Sequence, residues 1–138
     1  MHDKVFSCTI DGLTPKIIEV ETDISQGLPS FSIDGLGDAS VQEAKERVRS
    51  ALKNSRTQFP PLRKTVNLAP AHIRKHGPAF DLPIAVSVLA ASNQIPKHEL
   101  QESLFLGELG LSGRLRRVKG VLPIVAHAAK NGFKKVYL

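Results

Sequence analysis

The chain has 138 residues, 41% of them apolar and 5% aromatic, with 19 basic against 13 acidic side chains, a net charge of +6 and one cysteine. That is enough chain for one domain with a genuine core, and a single cysteine excludes an internal disulfide. No apolar run approaches the ~18 residues of a membrane span, and the N-terminus lacks the basic-then-apolar pattern of a secretory signal. Together with the unpaired Cys8, this fits a reducing, cytoplasmic setting.

Val5 to Ile10 and Lys16 to Val20 alternate apolar and polar residues and read as two strands joined at Asp11-Gly12. Pro29 to Ile33, with Phe31 and Ile33 on one face, reads as a third, broken by Gly35-Leu36-Gly37, whose glycines are expected to supply backbone freedom. A helix follows. Val41, Ala44, Val48 and Ala51 recur at helical spacing, and Leu52 widens the stripe. Ser40 and Glu43 have capping-box spacing, Asp38 is an alternative cap, and Asn54-Ser55 ends the helix. Lys64 to Leu68 is a β-branched and apolar strand stopped by Pro70. Asp81 is expected to cap a second helix, with Pro83 in its first turn. Leu82 to Ala90 is apolar nearly all round, the pattern of a helix buried on most sides. Ser103 to Leu111 reads as a strand, Ser112-Gly113 as a tight turn and Leu115 to Val118 as its return. Gly120 to Lys130 reads as a third helix, with Asn131-Gly132 as its stop, before a final strand. Runs of strands before single helices favour an α+β arrangement over a doubly wound sheet. The chain stops at Leu138 within that last strand, which leads us to expect a piece of a longer protein.

Charge is unevenly spread. Residues 1–46 hold nine acids and three bases, whereas residues 47–138 hold four acids and sixteen bases. A basic face of this kind suits nucleic acid or an acidic partner surface. Two groups are the candidate phosphate contacts: Arg63, Lys64, Arg74 and Lys75 around one strand and its loop, and Arg114, Arg116, Arg117 and Lys119 on the later hairpin. Aromatic residues do not interleave with these bases, so contact with a duplex backbone, or with a neighbouring subunit, fits better than base stacking. Gly35-Leu36-Gly37 lacks the third glycine of a dinucleotide loop, and no Gly-x-x-x-x-Gly-Lys-Ser/Thr phosphate loop is present, so the chain shows no nucleotide site of its own. His72 and His76 stand four apart between prolines with no further ligands nearby, and no metal is expected there.

The turn Lys75-His76-Gly77-Pro78-Ala79-Phe80-Asp81 resembles the segment that carries the nucleophilic serine in Lon-type proteases, with Ala79 at the serine's place. A methyl group cannot attack a carbonyl. In that family the partner lysine lies in the helix after a Gly-rich turn. The matching stretch, Gly120 to His127, has no lysine, and Lys119 and Lys130 flank it outside the expected positions. A displaced peptidase would have to use Ser87 or Ser92, both in or near a buried helix.

Nearly the whole chain is similar to the N-terminal domain of the ComM/YifB family of magnesium chelatase-like proteins. The matching segments are Gly27-Leu28-Pro29-Ser30-Phe31-Ser32-Ile33, Glu46-Arg47-Val48-Arg49-Ser50-Ala51, Thr65-Val66-Asn67-Leu68-Ala69-Pro70-Ala71, Gly77-Pro78-Ala79-Phe80-Asp81-Leu82-Pro83, Leu106-Gly107-Glu108-Leu109 and Gly120-Val121-Leu122-Pro123. Gly37 departs from the proline usual in the family. The resemblance implies a Lon-protease-like fold of the ribosomal protein S5 domain 2 type, without catalytic residues. It implies a further AAA+ ATPase module that binds ATP and Mg²⁺, assembly into a hexameric ring, and DNA branch migration in natural transformation. For this segment it leaves open DNA contact or a purely oligomerising role.

Overall fold

The computed structural model describes residues 4–138. Eight strands and three helices follow in the order β1 (Val5–Asp11), β2 (Thr14–Ser25), β3 (Ser30–Asp34), α1 (Asp38–Asn54), β4 (Arg63–Ala69), α2 (Asp81–Ala91), β5 (Ser103–Phe105), β6 (Glu108–Leu109), β7 (Leu115–Arg116), α3 (Val121–Lys130) and β8 (Lys135–Tyr137). Six strands form one mixed sheet in the order β3-β4-β2-β1-β5-β8, and β6 and β7 form a separate ribbon. The pairs β1/β2 and β2/β4 are antiparallel, while β3/β4, β1/β5 and β5/β8 are parallel.

The strand alternation sorts side chains onto two faces. Ile18, Val20, Phe31, Ile33, Val66 and Leu68 point to the face covered by α1 and α2, where they meet Ala44, Val48, Ile84 and Val88. Full burial of each large aliphatic side chain contributes roughly 1.5–3 kcal/mol. The apolar stripe of α1 and the all-round apolar α2 are buried as their spacing predicts. Thr22 and Ser87 meet within this layer, their hydroxyls 2.6 Å apart, so neither is left unsatisfied. On the opposite face α3 covers only the β1–β5 side, where Cys8, Leu104 and Leu106 pack on Ile124 and Ala128. The rest of that face is bare, and the register brings Glu21 beside Asn67, Asp23 beside Thr65 and Asp34 beside Asn67.

Two expectations change. The stretch from Ser103 to Leu111 is not one strand. It leaves the sheet after Phe105, where the Gly107 N–H donates to the Ala79 carbonyl at 2.8 Å and the Leu82 N–H donates to the Gly107 carbonyl at 3.0 Å. The apolar pattern runs through this break because Leu104, Leu106 and Leu109 are buried on both sides of it. No side chain caps α1, whose N-cap is Gly37. The Ser40 hydroxyl instead accepts the Gly77 N–H at 3.1 Å, and the Gly37 N–H donates to the Lys75 carbonyl at 2.8 Å, so the start of α1 is stitched to the loop before α2. Of the two glycines in the Gly35-Leu36-Gly37 turn, Gly35 needs glycine's freedom, at φ +90°. Gly37 sits at φ −55°, an angle a proline ring accepts.

Candidate nucleic-acid interface

Ala79 lies in a short 3-10 turn, Pro78–Phe80, that runs directly into α2. It borders a cleft of about 250 Å³ with His76, Cys8, Thr9, Lys119 and Gly120. Lys119, which lies outside the sequence positions expected of the partner lysine, lines this cleft together with Ala79, because α3 packs its start against β1. The cleft thus holds an amine across from a methyl group, with no hydroxyl at the nucleophile's place. Ser87 is engaged with Thr22, and the Ser92 hydroxyl donates to the Val88 carbonyl at 2.8 Å, so each has a partner other than a base. Burial pushes the Cys8 thiol up, against a backbone hydrogen bond from Lys16, which leaves it less prone to ionise. Among the described residues, no group of three or more His, Cys, Asp or Glu could hold a metal ion.

Asp81 does not cap α2. Its carboxylate, 1% exposed, accepts from Arg47 Nε at 2.6 Å and Nη2 at 3.2 Å, and from the Leu109 N–H at 3.1 Å. One side chain so ties α1, α2 and the β6 ribbon together. Burial pushes the Asp81 carboxyl up, while Arg47 and the Leu109 N–H pull it down. The same contact holds the Arg47 guanidinium up. These two directions favour opposite charge states of the pair. The two-point, charge-assisted geometry decides for the ionised one.

The eight candidate phosphate contacts separate on folding. Lys64 and Lys75 are each only 2% exposed. Lys64 Nζ donates to the Pro60 and Leu62 carbonyls at 2.6 and 2.7 Å. Lys75 Nζ donates to the carbonyls of Pro70 and Ile73. Burial lowers the pKa of both. Neither ammonium is presented to a phosphate, and the assignment of these two residues as DNA contacts is corrected. Arg63 is exposed, but its pairing with Ser25 and Ser30 places it on the bare, acidic sheet face. The seven residues of β4, roughly 3.3 Å each, separate it from the loop that follows. Arg74 is exposed two residues before His76. Arg114, Arg116, Arg117 and Lys119 are all exposed, and run from the ribbon's turn to the cleft that Lys119 and His76 both line. Four of the eight, Arg114, Arg116, Arg117 and Lys119, thus follow one another as an exposed basic run, and Arg74 is exposed near the cleft that Lys119 lines.

Lys75→Met is expected to lower stability by ~1–3 kcal/mol, through two carbonyls left without a donor. The duplex affinity of the folded protein should stay at the wild-type value. Thermal melting beside a DNA titration checks both halves.

A family model described as subunit ChlI of Mg-chelatase matches residues 20–138. The chain belongs to the ChlI family of Mg-chelatase-like proteins. The mixed sheet with its flanking helices is the α+β, Lon-protease-like arrangement of this family that the resemblance implied. Among relatives, competence protein ComM of Haemophilus influenzae is 44% identical over 127 residues, 92% of this chain and 25% of that protein. The uncharacterized protein YifB of Escherichia coli K12 is 45% identical over 123 residues, 89% of this chain and 24% of that protein. DNA repair protein RadA of Listeria monocytogenes is 46% identical over 61 residues, 44% of this chain and 13% of that protein. The ChlI-family chain thus spans about a quarter of the length of ComM and YifB. Among its described residues, no helix is long and apolar enough to cross a membrane.

Proposed function

We propose that this chain is the non-catalytic N-terminal domain of a cytoplasmic, ComM/YifB-like AAA+ motor that drives DNA branch migration in transformation and recombination, and that it contributes duplex contact and ring assembly. The observation that carries this reading is the exposed basic run of Arg114, Arg116, Arg117 and Lys119, which reaches the cleft of a Lon-like turn with Ala79 at the nucleophile's place. ATP and Mg²⁺ belong to the ATPase module of the longer protein, and the hexamer multiplies a modest affinity per subunit. A scaffold of this kind needs exposed cations and no reactive hydroxyl. We therefore expect no ATP hydrolysis and no peptidase activity from the chain. Labelling by a serine-directed fluorophosphonate faster than labelling of the denatured protein would refute that expectation.

Duplex DNA contact is tested at low salt with a labelled duplex. Affinity should fall steeply with salt and depend little on sequence. Arg116→Ala combined with Arg117→Ala should lower the salt slope by up to about two. Superimposable isotherms for wild type and the double variant would remove these arginines from the contact set. A second reading, subunit contact alone, is favoured by the exposed Leu111, Leu115, Leu122 and Val125 on and beyond the ribbon. In that case the double variant changes assembly of the full-length protein and leaves DNA affinity untouched.

A further inference from the structure

Away from this basic run, the end of α1 and the start of β3 and β4 enclose a hollow of about 410 Å³ whose side chains include Arg49, Lys53, Phe59 and Lys64. We propose that this hollow is a binding site for a phosphate-class anion, either a free nucleotide or pyrophosphate or the phosphodiester backbone of a nucleic acid.

Two cations, Arg49 and Lys53, line one concavity, and the buried Lys64 beneath them adds its charge while its ammonium stays on backbone carbonyls. Lys64 Nζ is fixed at its floor by the Pro60 and Leu62 carbonyls and stands 4.4 Å from the centre of the Phe59 ring. The Arg49 guanidinium lies 5.6 Å from the same ring. Phe59 is itself held edge-on by Phe31, with ring centres 5.2 Å apart. Lys53, exposed in the last turn of α1, completes the set. The carboxylate that reaches these cations is Glu46, 3.6 Å from Arg49 and largely exposed. It offsets one charge of three. Burial, and then the charge of Arg49, hold the Lys64 pKa down, the direction expected where like charges are pressed together. A concave wall of one sign focuses the field and concentrates counter-ions. The volume lies within the ~300–1,000 Å³ range of small-ligand sites. Pro29, Pro60 and Pro61 stiffen the wall, so little ordering is left to pay for on binding. A phosphate brings up to two negative charges and three or more acceptor oxygens to Arg49 and Lys53, against one charge and two oxygens for a carboxylate.

The test is an amide NMR titration of this chain with sodium pyrophosphate, AMP and a short oligonucleotide, each at constant ionic strength set with sodium chloride. Saturable shifts are expected at Ser30, Lys53 and Phe59. Lys53→Gln and Arg49→Gln should each weaken binding roughly tenfold, as loss of one charge-assisted hydrogen bond implies. Lys53 is solvent-exposed, so Lys53→Gln should keep the wild-type melting temperature, and Lys53→Arg should restore binding. Shifts with pyrophosphate or AMP identify a free ligand. Shifts with the oligonucleotide only identify a nucleic-acid backbone. No saturable shift at these amides with any of the three, the same shifts with chloride alone, or unchanged affinity in both glutamine variants would overturn the site. The combined Arg116→Ala and Arg117→Ala variant should leave these shifts in place, which separates failure of this proposal from failure of the duplex contact proposed for the ribbon.

Discussion

Asp81→Ala is expected to destabilise the protein by ~3–5 kcal/mol, the usual cost of removing one partner from a buried ion pair, and to lower the melting temperature by on the order of 10 °C. The substitution leaves the Arg47 guanidinium facing a cavity and the Leu109 N–H without its acceptor. Loss of a helix cap would cost only ~1 kcal/mol, so the size of the effect separates the two roles. Arg47→Ala should be similarly harmful, because it strands a carboxylate that is 1% exposed. The double replacement Arg47→Met with Asp81→Leu should cost much less than the sum of the single changes, since no charge is then left alone. Additive losses in this cycle, measured by urea denaturation, would show that the two side chains act independently.

Gly35→Ala should have the next largest effect, of roughly 2–5 kcal/mol. Part is backbone strain, ~1–3 kcal/mol for a non-glycine residue at a positive φ. Part is collision, because a Cβ at Gly35 would fall well inside contact distance of the Leu68 carbonyl oxygen. Backbone must move, since no flexible side-chain end is there to yield. Gly37→Ala is the control. Its φ is ordinary and the nearest atoms to an added Cβ are 3.6 Å away, so its cost should stay within ~1 kcal/mol. Equal melting temperatures for the two variants would refute the assignment of distinct roles.

Local pattern was enough to read most of the fold. The stripe of Ala44, Val48 and Ala51 places the buried side of α1, and the evenly apolar run from Leu82 to Ala90 marks α2 as a core helix, because each depends on neighbours within a few turns. The burial of Lys64 had a signal in the sequence that its assignment as a phosphate contact passed over. Lys64 shares strand parity with Val66 and Leu68, which point inward, and that parity outweighs its charge once two carbonyls receive the ammonium. Asp81 was not legible, since its partner Arg47 lies 34 residues earlier and a carboxylate before an apolar helix has the same local look whether it caps or crosses. The burial of Lys75 depends on the fold of its own loop, and the presence of His76 and Lys119 in one cleft on how α3 docks on β1. No spacing rule carries either. The Arg49 and Lys53 hollow was hidden for the same reason, as Phe59 and Lys64 come to it from beyond a proline loop.

The bare half of the sheet has a consequence for how this molecule moves. Glu21, Asp23 and Asp34 crowd the uncovered face, while Arg74, Arg114, Arg116, Arg117 and Lys119 gather around the ribbon and the cleft. Opposite charges gathered on separate surfaces make a permanent electric dipole, over and above the net +6. A net charge only pulls a body toward a polyanion, but a dipole also turns it. Within roughly a Debye length, ~8 Å at physiological salt, the domain would be rotated with its carboxylates outward before any side chain touches. In the duplex contact proposed above, encounters would then begin with the basic ribbon facing the polyanion, and added salt would remove the torque along with the attraction.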